Sequence, residues 1–368
     1  MLITKRSGQT EEYDRKKIAL AITKAFKSTG IEQPDDLDEL LDLVEKQILV
    51  TPGCSVETIQ DRVEEALMQR GHYQVAKNFI LYREKRTELR TCRLALSVAT
   101  GDSDLDGCLF EIQNDFKAPE YSLEVLTAKF NSQVSPTASV DEKLDTLIRS
   151  AVELTTQNAP RYEQIAGRLL CHSFKRKLAQ REQNLGLTDF YTKLMFLTEH
   201  GLYGKYILEN YTKEEIDEAA GLIDENRNKL FNYSGLQLVL ERYVIKSHNN
   251  EILESPQELF LGVALHLAMP EKKDVRMQYV KRFYDMLSKL EVTMATPTLA
   301  NARKPYHQLS SCFIDTVPDS LAGIYRSLDN FAQVSKFGGG MGLYFGKVRA
   351  RGSDIRGFKG AAGGVSPW

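Results

Sequence analysis

The residues best equipped for chemistry lie toward the end of this 368-residue chain. Cys312 sits in the run QLSSCFID (308–315), directly after Ser311, among small polar residues with β character. A single thiol in such a setting reads either as a buried, inert packing group or as a redox-active sulfur. Downstream, ten of the chain's 24 glycines fall between positions 338 and 364, interleaved with Lys347, Arg349, Arg351, Arg356 and Lys359. Glycine lets backbone N–H groups come close to a ligand, and the basic side chains supply charge, a mixture suited to phosphate-bearing ligands. Between these runs, PDSL (318–321) reads as a helix start. Asp319 and Ser320 are either an ordinary cap or an acceptor for a sugar hydroxyl beside amides that meet phosphate. Upstream, Thr296 in TMATPTL (293–299) reads as part of a strand-edge turn. A second group, Lys5, Arg6, Lys16 and Lys17, lies near a turn and a helix start at the N-terminus. It is either a solvated basic surface or a place where positive charge and backbone donors meet a triphosphate.

Several elements must position these groups. Residues 1–90 predict two short strands around a Ser7-Gly8 turn, then four helices. The first starts near Arg15 with Ile18, Ile22, Ala25 and Phe26 on one face. The second carries Leu37, Leu40, Leu41, Val44 and Ile48, and the third Val56, Ile59, Val63 and Leu67. The fourth covers about 73–90, with a basic edge at Lys77, Arg83, Lys85 and Arg86. Residues 91–138 read as a less regular, turn-rich linker. From Ser139 the chain is helical again, with capping boxes at SVDE (139–142), TKEE (212–215) and SPQE (255–258). The segment 258–269 is nearly all apolar and predicts a buried helix, and 277–290 predicts an amphipathic one.

Bulk properties bound the rest. The length suits two or three domains. A net charge of −2 gives no global pull toward nucleic acid or membrane, so any anion site is local. No signal-like segment and no apolar run of membrane-spanning length occurs, which points to the cytoplasm. The five cysteines lack CxxC spacing, against a zinc knuckle or a secreted disulfide frame, and no metal site is visible.

The opening TKRSGQTEEYDRKKI (4–18) resembles an ATP-cone, the allosteric nucleotide module of ribonucleotide reductases. The helical block, including ELTTQNAPRYEQIAGRLL (153–170), is similar to the all-α domain of that family's large subunit. The ordered set ATPTL, QLSSC, PDSL, SKFGGGMG and RARGSDIRG looks like the start of its catalytic barrel. The resemblance implies a mostly α chain with some α/β. It comprises a cone of one β-hairpin and four helices (1–90), a linker (91–138), an all-helical domain (139–291), and the first part of a ten-stranded α/β barrel (292–368). It implies thiyl-radical reduction of ribonucleotides to deoxyribonucleotides, under ATP/dATP control, by a class I enzyme.

Residue by residue, it places Lys5, Arg6, Glu11, Lys16 and Lys17 at the ATP/dATP site, Val56 near the base, and one further basic contact at Arg83 or Lys85. Thr296, Ser311, Gly339 and Gly340 fall at the substrate. Cys312 becomes half of the dithiol that delivers two electrons to the ribose, since loss of the 2′-hydroxyl as water is a net two-electron reduction. Asp319, Ser320, Leu321, Lys336, Arg349 and Arg356 fall at a deoxynucleotide effector site, whose helix also builds a homodimer. Implied partners are nucleotides carrying Mg²⁺, a radical-generating small subunit, and thioredoxin or glutaredoxin, with no membrane and no direct nucleic-acid contact.

The family's finger-loop cysteine, the redox partner of Cys312 and the C-terminal cysteine pair have no counterpart in these residues. The expectation is an N-terminal piece, whether a truncation, one half of a split gene or a fragment before an interruption, that does not reduce ribonucleotides alone; a complementary C-terminal chain is one partner this would call for. Two rival expectations are a non-catalytic nucleotide-sensing or assembly protein and a generic phosphate-binding α/β enzyme.

Overall fold

A computed structural model describes residues 2–5, 9–30, 34–49 and 53–366, without the side chains of Lys85 and Leu89. The chain forms two compact units, residues 1–99 and 100–368.

In the first unit, β1 (Leu2–Thr4) and β2 (Thr10–Glu12) form an antiparallel hairpin with Leu2 opposite Glu12 and Thr4 opposite Thr10. The Ser7-Gly8 turn expected between them lies outside the described residues. The hairpin is fastened through Thr4, whose N–H donates to Cys54 O at 3.0 Å. Four helices follow: α1 (Arg15–Lys27), α2 (Leu37–Leu49), α3 (Val56–Gln69) and α4 (Tyr73–Thr100). Asp14 caps α1 by accepting from Lys16 N at 2.9 Å, and Ser55 caps α3 by accepting from Thr58 N at 3.2 Å. The 3.6-residue period delivers Ile18, Ile22, Ala25 and Phe26 of α1 into one core. Leu40, Leu41, Val44 and Ile48 of α2 join them, with Ile59, Val63 and Leu67 of α3.

The fourth helix does not stop near residue 90. It runs 28 residues to Thr100, because neither Gly nor Pro interrupts it before Gly101, which takes φ +77. The segment 91–138 is likewise not irregular. After α4 come α5 (Leu105–Asp115), a 3₁₀ turn (Pro119–Tyr121) and α6 (Leu123–Asn131). These bury Leu105, Leu109, Ile112, Leu123, Leu126 and Phe130. The turn-forming composition of 99–107 governs only a short joint.

The second unit continues with α7 (Val140–Glu153), α8 (Tyr162–Leu185), α9 (Phe190–Glu199), α10 (Tyr206–Asn210) and α11 (Lys213–Ala220). After a 3₁₀ segment (Glu225–Leu230) come α12 (Tyr233–Arg242), α13 (Pro256–Ala268), α14 (Lys273–Ser288) and α15 (Thr296–Asn301). All three expected capping boxes form, at Ser139/Glu142, Thr212/Glu215 and Ser255/Glu258. Helix α13 is the buried spine. Leu259, Leu261, Val263, Ala264 and Leu265 are fully shielded from solvent. Each large apolar side chain buried there contributes roughly 1.5–3 kcal/mol.

Two buried cations pin the spine. Lys193 meets Glu258 at 2.5 Å and also Glu182. Arg303 is fully buried and donates from Nε to Glu254 at 2.6 Å, and to the carbonyls of Leu299 (2.7 Å) and Tyr243 (2.8 Å).

The unit ends in a β–α–β arrangement: β3 (Cys312–Thr316), α16 (Leu321–Lys336) and β4 (Gly340–Tyr344). The strands are parallel, with Cys312 opposite Gly340 and Thr316 opposite Tyr344, and the crossover is a helix, as parallel pairing requires. The strand-edge turn expected at Thr-Pro-Thr is instead the start of α15. Pro297 in the first helical turn lacks an N–H that would be unpaired there, so it favours helix.

Candidate functional site

Two places gather the residues singled out from the sequence. The first lies in the N-terminal unit. A cavity of about 630 Å³ opens between α1, α3 and α4. That volume lies within the range typical of small-molecule sites. Lys17 and Lys24 of α1 and Arg83, Arg86 and Arg90 of α4 line it, and no carboxylate does. Leu20, Leu81 and Tyr82 also line it and are more than half exposed. Helical spacing explains the clustering. Positions 17 and 24 are two turns apart on one face of α1, and 83, 86 and 90 recur at i, i+3 and i+7 on α4.

Glu11 ties the hairpin to this wall. It accepts from Lys17 Nζ at 2.6 Å and pairs with Lys5 Nζ at 2.8 Å. The Lys17 bond first, and then Lys5, holds its carboxyl far below the ordinary range, at about 2. Arg83 borders the cavity, but its guanidinium meets Glu57 (2.9 Å), Asp61 (2.5 Å) and Glu64 (2.9 Å) of α3. Its charge is largely matched within the unit. Val56 is half-buried at the start of α3, and Lys16 is exposed on α1; neither lines the cavity. Arg6 and the side chain of Lys85 lie outside the described residues. Sequence reasoning did not place Lys24, Gln60 and Arg90 at this cavity, and it took Arg86 only as part of an exposed edge. The i, i+3, i+7 recurrence of arginines was the available signal.

The second place is the β3–α16–β4 region. Cys312 opens β3 and is exposed. Ser311 Oγ lies 3.4 Å from Cys312 Sγ, and Gly340 N–H donates to Ser311 O at 2.7 Å. A Cβ on Gly339 would stand 2.7 Å from Val334 Cγ1 and 2.9 Å from Phe313 Cε2, so glycine is what lets the loop close here. Ser311, Cys312, Gly339 and Gly340 therefore form one constellation. Helix α15 borders it: Asn301 Nδ2 donates to Gln308 O at 3.0 Å and to Phe337 O at 3.3 Å. Thr296 itself is exposed, with its hydroxyl 3.2 Å from Tyr243 OH.

At the N-terminus of α16, Ser320 accepts from Gly323 N at 3.1 Å, and Leu321 is exposed beside it. Asp319 accepts from Arg349 Nε at 2.8 Å and from Arg349 N at 3.2 Å. Arg356 is exposed on a turn with φ +51. Lys336 is not with this group. It is the last residue of the 16-residue α16, so it stands about 22 Å along the helix axis from the Asp319 end. Leu321, Tyr325 and Leu328 make an exposed apolar stripe between the two ends. Among the described residues no cluster of three or more His, Cys, Asp or Glu is arranged to hold a metal ion, and no helix is long and apolar enough to cross a membrane.

Comparison with known proteins covers both places. Residues 1–88 match the family model of the ATP cone domain. Residues 229–307 match the ribonucleotide reductase all-alpha domain, and 310–368 the ribonucleotide reductase barrel domain. The chain is 52% identical over 376 residues to the ribonucleoside-diphosphate reductase subunit alpha of Treponema pallidum. That match covers all of this chain and 44% of that protein. The Chlamydia pneumoniae counterpart is 30% identical, covering all of this chain and 38% of that protein. The Escherichia coli ribonucleoside-diphosphate reductase 1 subunit alpha is 33% identical over 58% of this chain and 28% of its own length. The chain thus spans less than half the length of these relatives. With the cone, all-alpha and barrel models following one another along it, the chain belongs to the ribonucleotide reductase large-subunit family and corresponds to its N-terminal portion.

Proposed function

We propose that this chain supplies the effector-responsive part, and one redox thiol, of an enzyme that reduces ribonucleoside diphosphates to deoxyribonucleotides. The observation that carries the regulatory half is the α1–α4 cavity, where Lys17, Lys24, Arg83, Arg86 and Arg90 meet exposed apolar side chains. A nucleotide has the matching form, a flat apolar base and a polyanionic tail. ATP and dATP, with Mg²⁺ on the phosphates, are the proposed ligands, and Lys17 and Arg86 the proposed phosphate contacts, with Lys5, Arg6, Lys16 and Lys85 as further proposed contacts.

The exposed Cys312, beside Ser311 and the Gly339-Gly340 loop, is the proposed electron donor to substrate. Its disulfide partner and the radical-bearing sulfur come from outside these residues, and the radical from a small subunit. Thioredoxin or glutaredoxin would regenerate the dithiol. At α16, the apolar stripe favours pairing with a second copy. Antiparallel pairing would bring Lys336 of one copy toward Asp319, Ser320 and Arg349 of the other, closing a deoxynucleotide site that one chain leaves divided.

Reconstitution tests this. With the radical-generating subunit and the remainder of the large subunit supplied, ribonucleoside diphosphate turnover rises with ATP and falls with dATP. Cys312→Ser abolishes multiple turnover, and Lys17→Ala/Arg86→Ala loses the ATP/dATP response while keeping basal turnover. Sustained multiple turnover by Cys312→Ser would refute the assignment of the thiol.

A further inference from the structure

Cys312 and Gly340 stand opposite each other at the first residues of the parallel strands β3 and β4. Burial does not fix the sulfur, because no residue from 304 to 316 is buried. Hydrogen bonds from outside the sheet hold this stretch instead. Asn301, the last residue of α15, donates from Nδ2 to Gln308 O at 3.0 Å, four residues before the thiol. It also donates to Phe337 O at 3.3 Å, two residues before Gly339. A primary amide carries two N–H donors, so one side chain can hold two carbonyls near the separation of neighbouring strands, about 4.8 Å. The amide adds a tie upstream of the backbone bond from Gly340 N to Ser311 O at 2.7 Å. Thr298, one turn earlier on α15, adds its hydroxyl to Leu309 O at 3.4 Å.

The helix end that carries Asn301 is itself held from the core. Arg303, fully buried against Glu254, donates from Nη1 to Leu299 O at 2.7 Å. Tyr206 OH of α10 donates to Ala302 O at 2.6 Å and also meets Lys304 O at 3.1 Å. Gly204 N donates to Arg303 O at 2.8 Å. The end of α15 is thus gripped through its carbonyls by buried or half-buried groups. A reacting thiol needs its partner atom at about 3–3.5 Å in a fixed direction, and a misplacement of about 1 Å can cost a hundredfold in rate. An exposed strand start does not supply that precision by itself. An amide carried on a gripped helix end does.

We infer that Asn301 is a positioning residue for Cys312. It clamps the chain entering β3 to the chain entering β4, and so sets where the sulfur stands beside the Gly339-Gly340 loop. It acts through these two backbones and does not itself react. This rests on the reading of Cys312 as the electron donor to substrate.

Two variants test it, in hydrogen–deuterium exchange on the whole chain and in turnover with the radical-generating subunit and the remainder of the large subunit supplied. Asn301→Asp keeps the shape and removes both donors; Asn301→Ala removes the amide with a residue that suits a helix. In both, peptides covering 306–312 and 337–341 exchange about threefold faster or more, while exchange across α13 is unchanged. Both lower kcat about tenfold or more and leave KM for the ribonucleoside diphosphate within about twofold. Should Asn301→Asp fail to fold, Asn301→Ala decides alone. Full kcat in the folded variants overturns the inference, as does unchanged exchange at 306–312. A rise in KM that accounts for the loss, or a loss accompanied by faster exchange in α13, overturns it too. Cys312→Ser in the same assay separates the two readings. If it sustains turnover, the assignment of the thiol falls and the positioning role with it. If it is inactive while the Asn301 variants keep full kcat, only the positioning role falls.

Discussion

Single residues already divide the chemistry of this protein from its architecture. Gly339 and Gly340 are neighbours at the start of β4, yet they do different work. A methyl at 339 collides with Val334 and Phe313, whereas at 340 the nearest heavy atom is 3.5 Å away. Gly339→Ala should therefore cost about 1–3 kcal/mol in urea unfolding, and Gly340→Ala well under that. His266 offers a second test. Burial first, and then the nearby His307, depress its pKa from 6.5 to about 4, and its Nδ1 lies 3.1 Å from Tyr206 OH. The unfolded chain thus takes up a proton that the folded chain refuses. The contribution is fully present above about pH 6.5 and is lost as pH falls from 6.5 toward 4. Urea midpoints measured across that window should fall with acidity, and His266→Gln should flatten the slope.

At the scale of elements, what local pattern dictates was readable and what distant partners dictate was not. The core faces of α1, α2 and α3 follow from the period of Ile18–Ile22, Leu40–Val44 and Ile59–Val63, and the capping boxes from three-residue spacing. Nothing local announces that Arg303, in the surface-like run NARKP, is wholly buried. Its carboxylate partner Glu254 lies 49 positions away. The end of α4 was misjudged because the turn-forming composition of 99–107 was read as part of a longer irregular stretch beginning near 91. The constellation at Cys312 was legible because β3, α16 and β4 are consecutive. The cavity's basic lining was partly hidden because it assembles from helices far apart in sequence.

The three carboxylates of α3 around Arg83 make a further expectation. Arg83→Ala leaves Glu57, Asp61 and Glu64 facing one another, and should destabilise the N-terminal unit by about 1–3 kcal/mol, more at low salt. Circular dichroism melts at two ionic strengths would check it.

Taken as a whole, the chain joins an ATP cone domain to the all-alpha domain and the first barrel elements of the ribonucleotide reductase large-subunit family, and it forms two compact units. The exposed stripe on α16 bears on assembly. Leu328→Glu should reduce self-association in sedimentation velocity, most clearly with a deoxynucleotide present, and leave nucleotide affinity at the N-terminal unit unchanged. The account depends most on the N-terminal cavity being a nucleotide site. Calorimetric titration of ATP and dATP into the intact chain examines that directly. The account predicts saturable binding of both, weakened about tenfold or more in Lys17→Ala/Arg86→Ala, as loss of charge-assisted contacts to phosphate requires. Affinity for both nucleotides that is unchanged in that double variant, or no binding at all to the native chain, would contradict it.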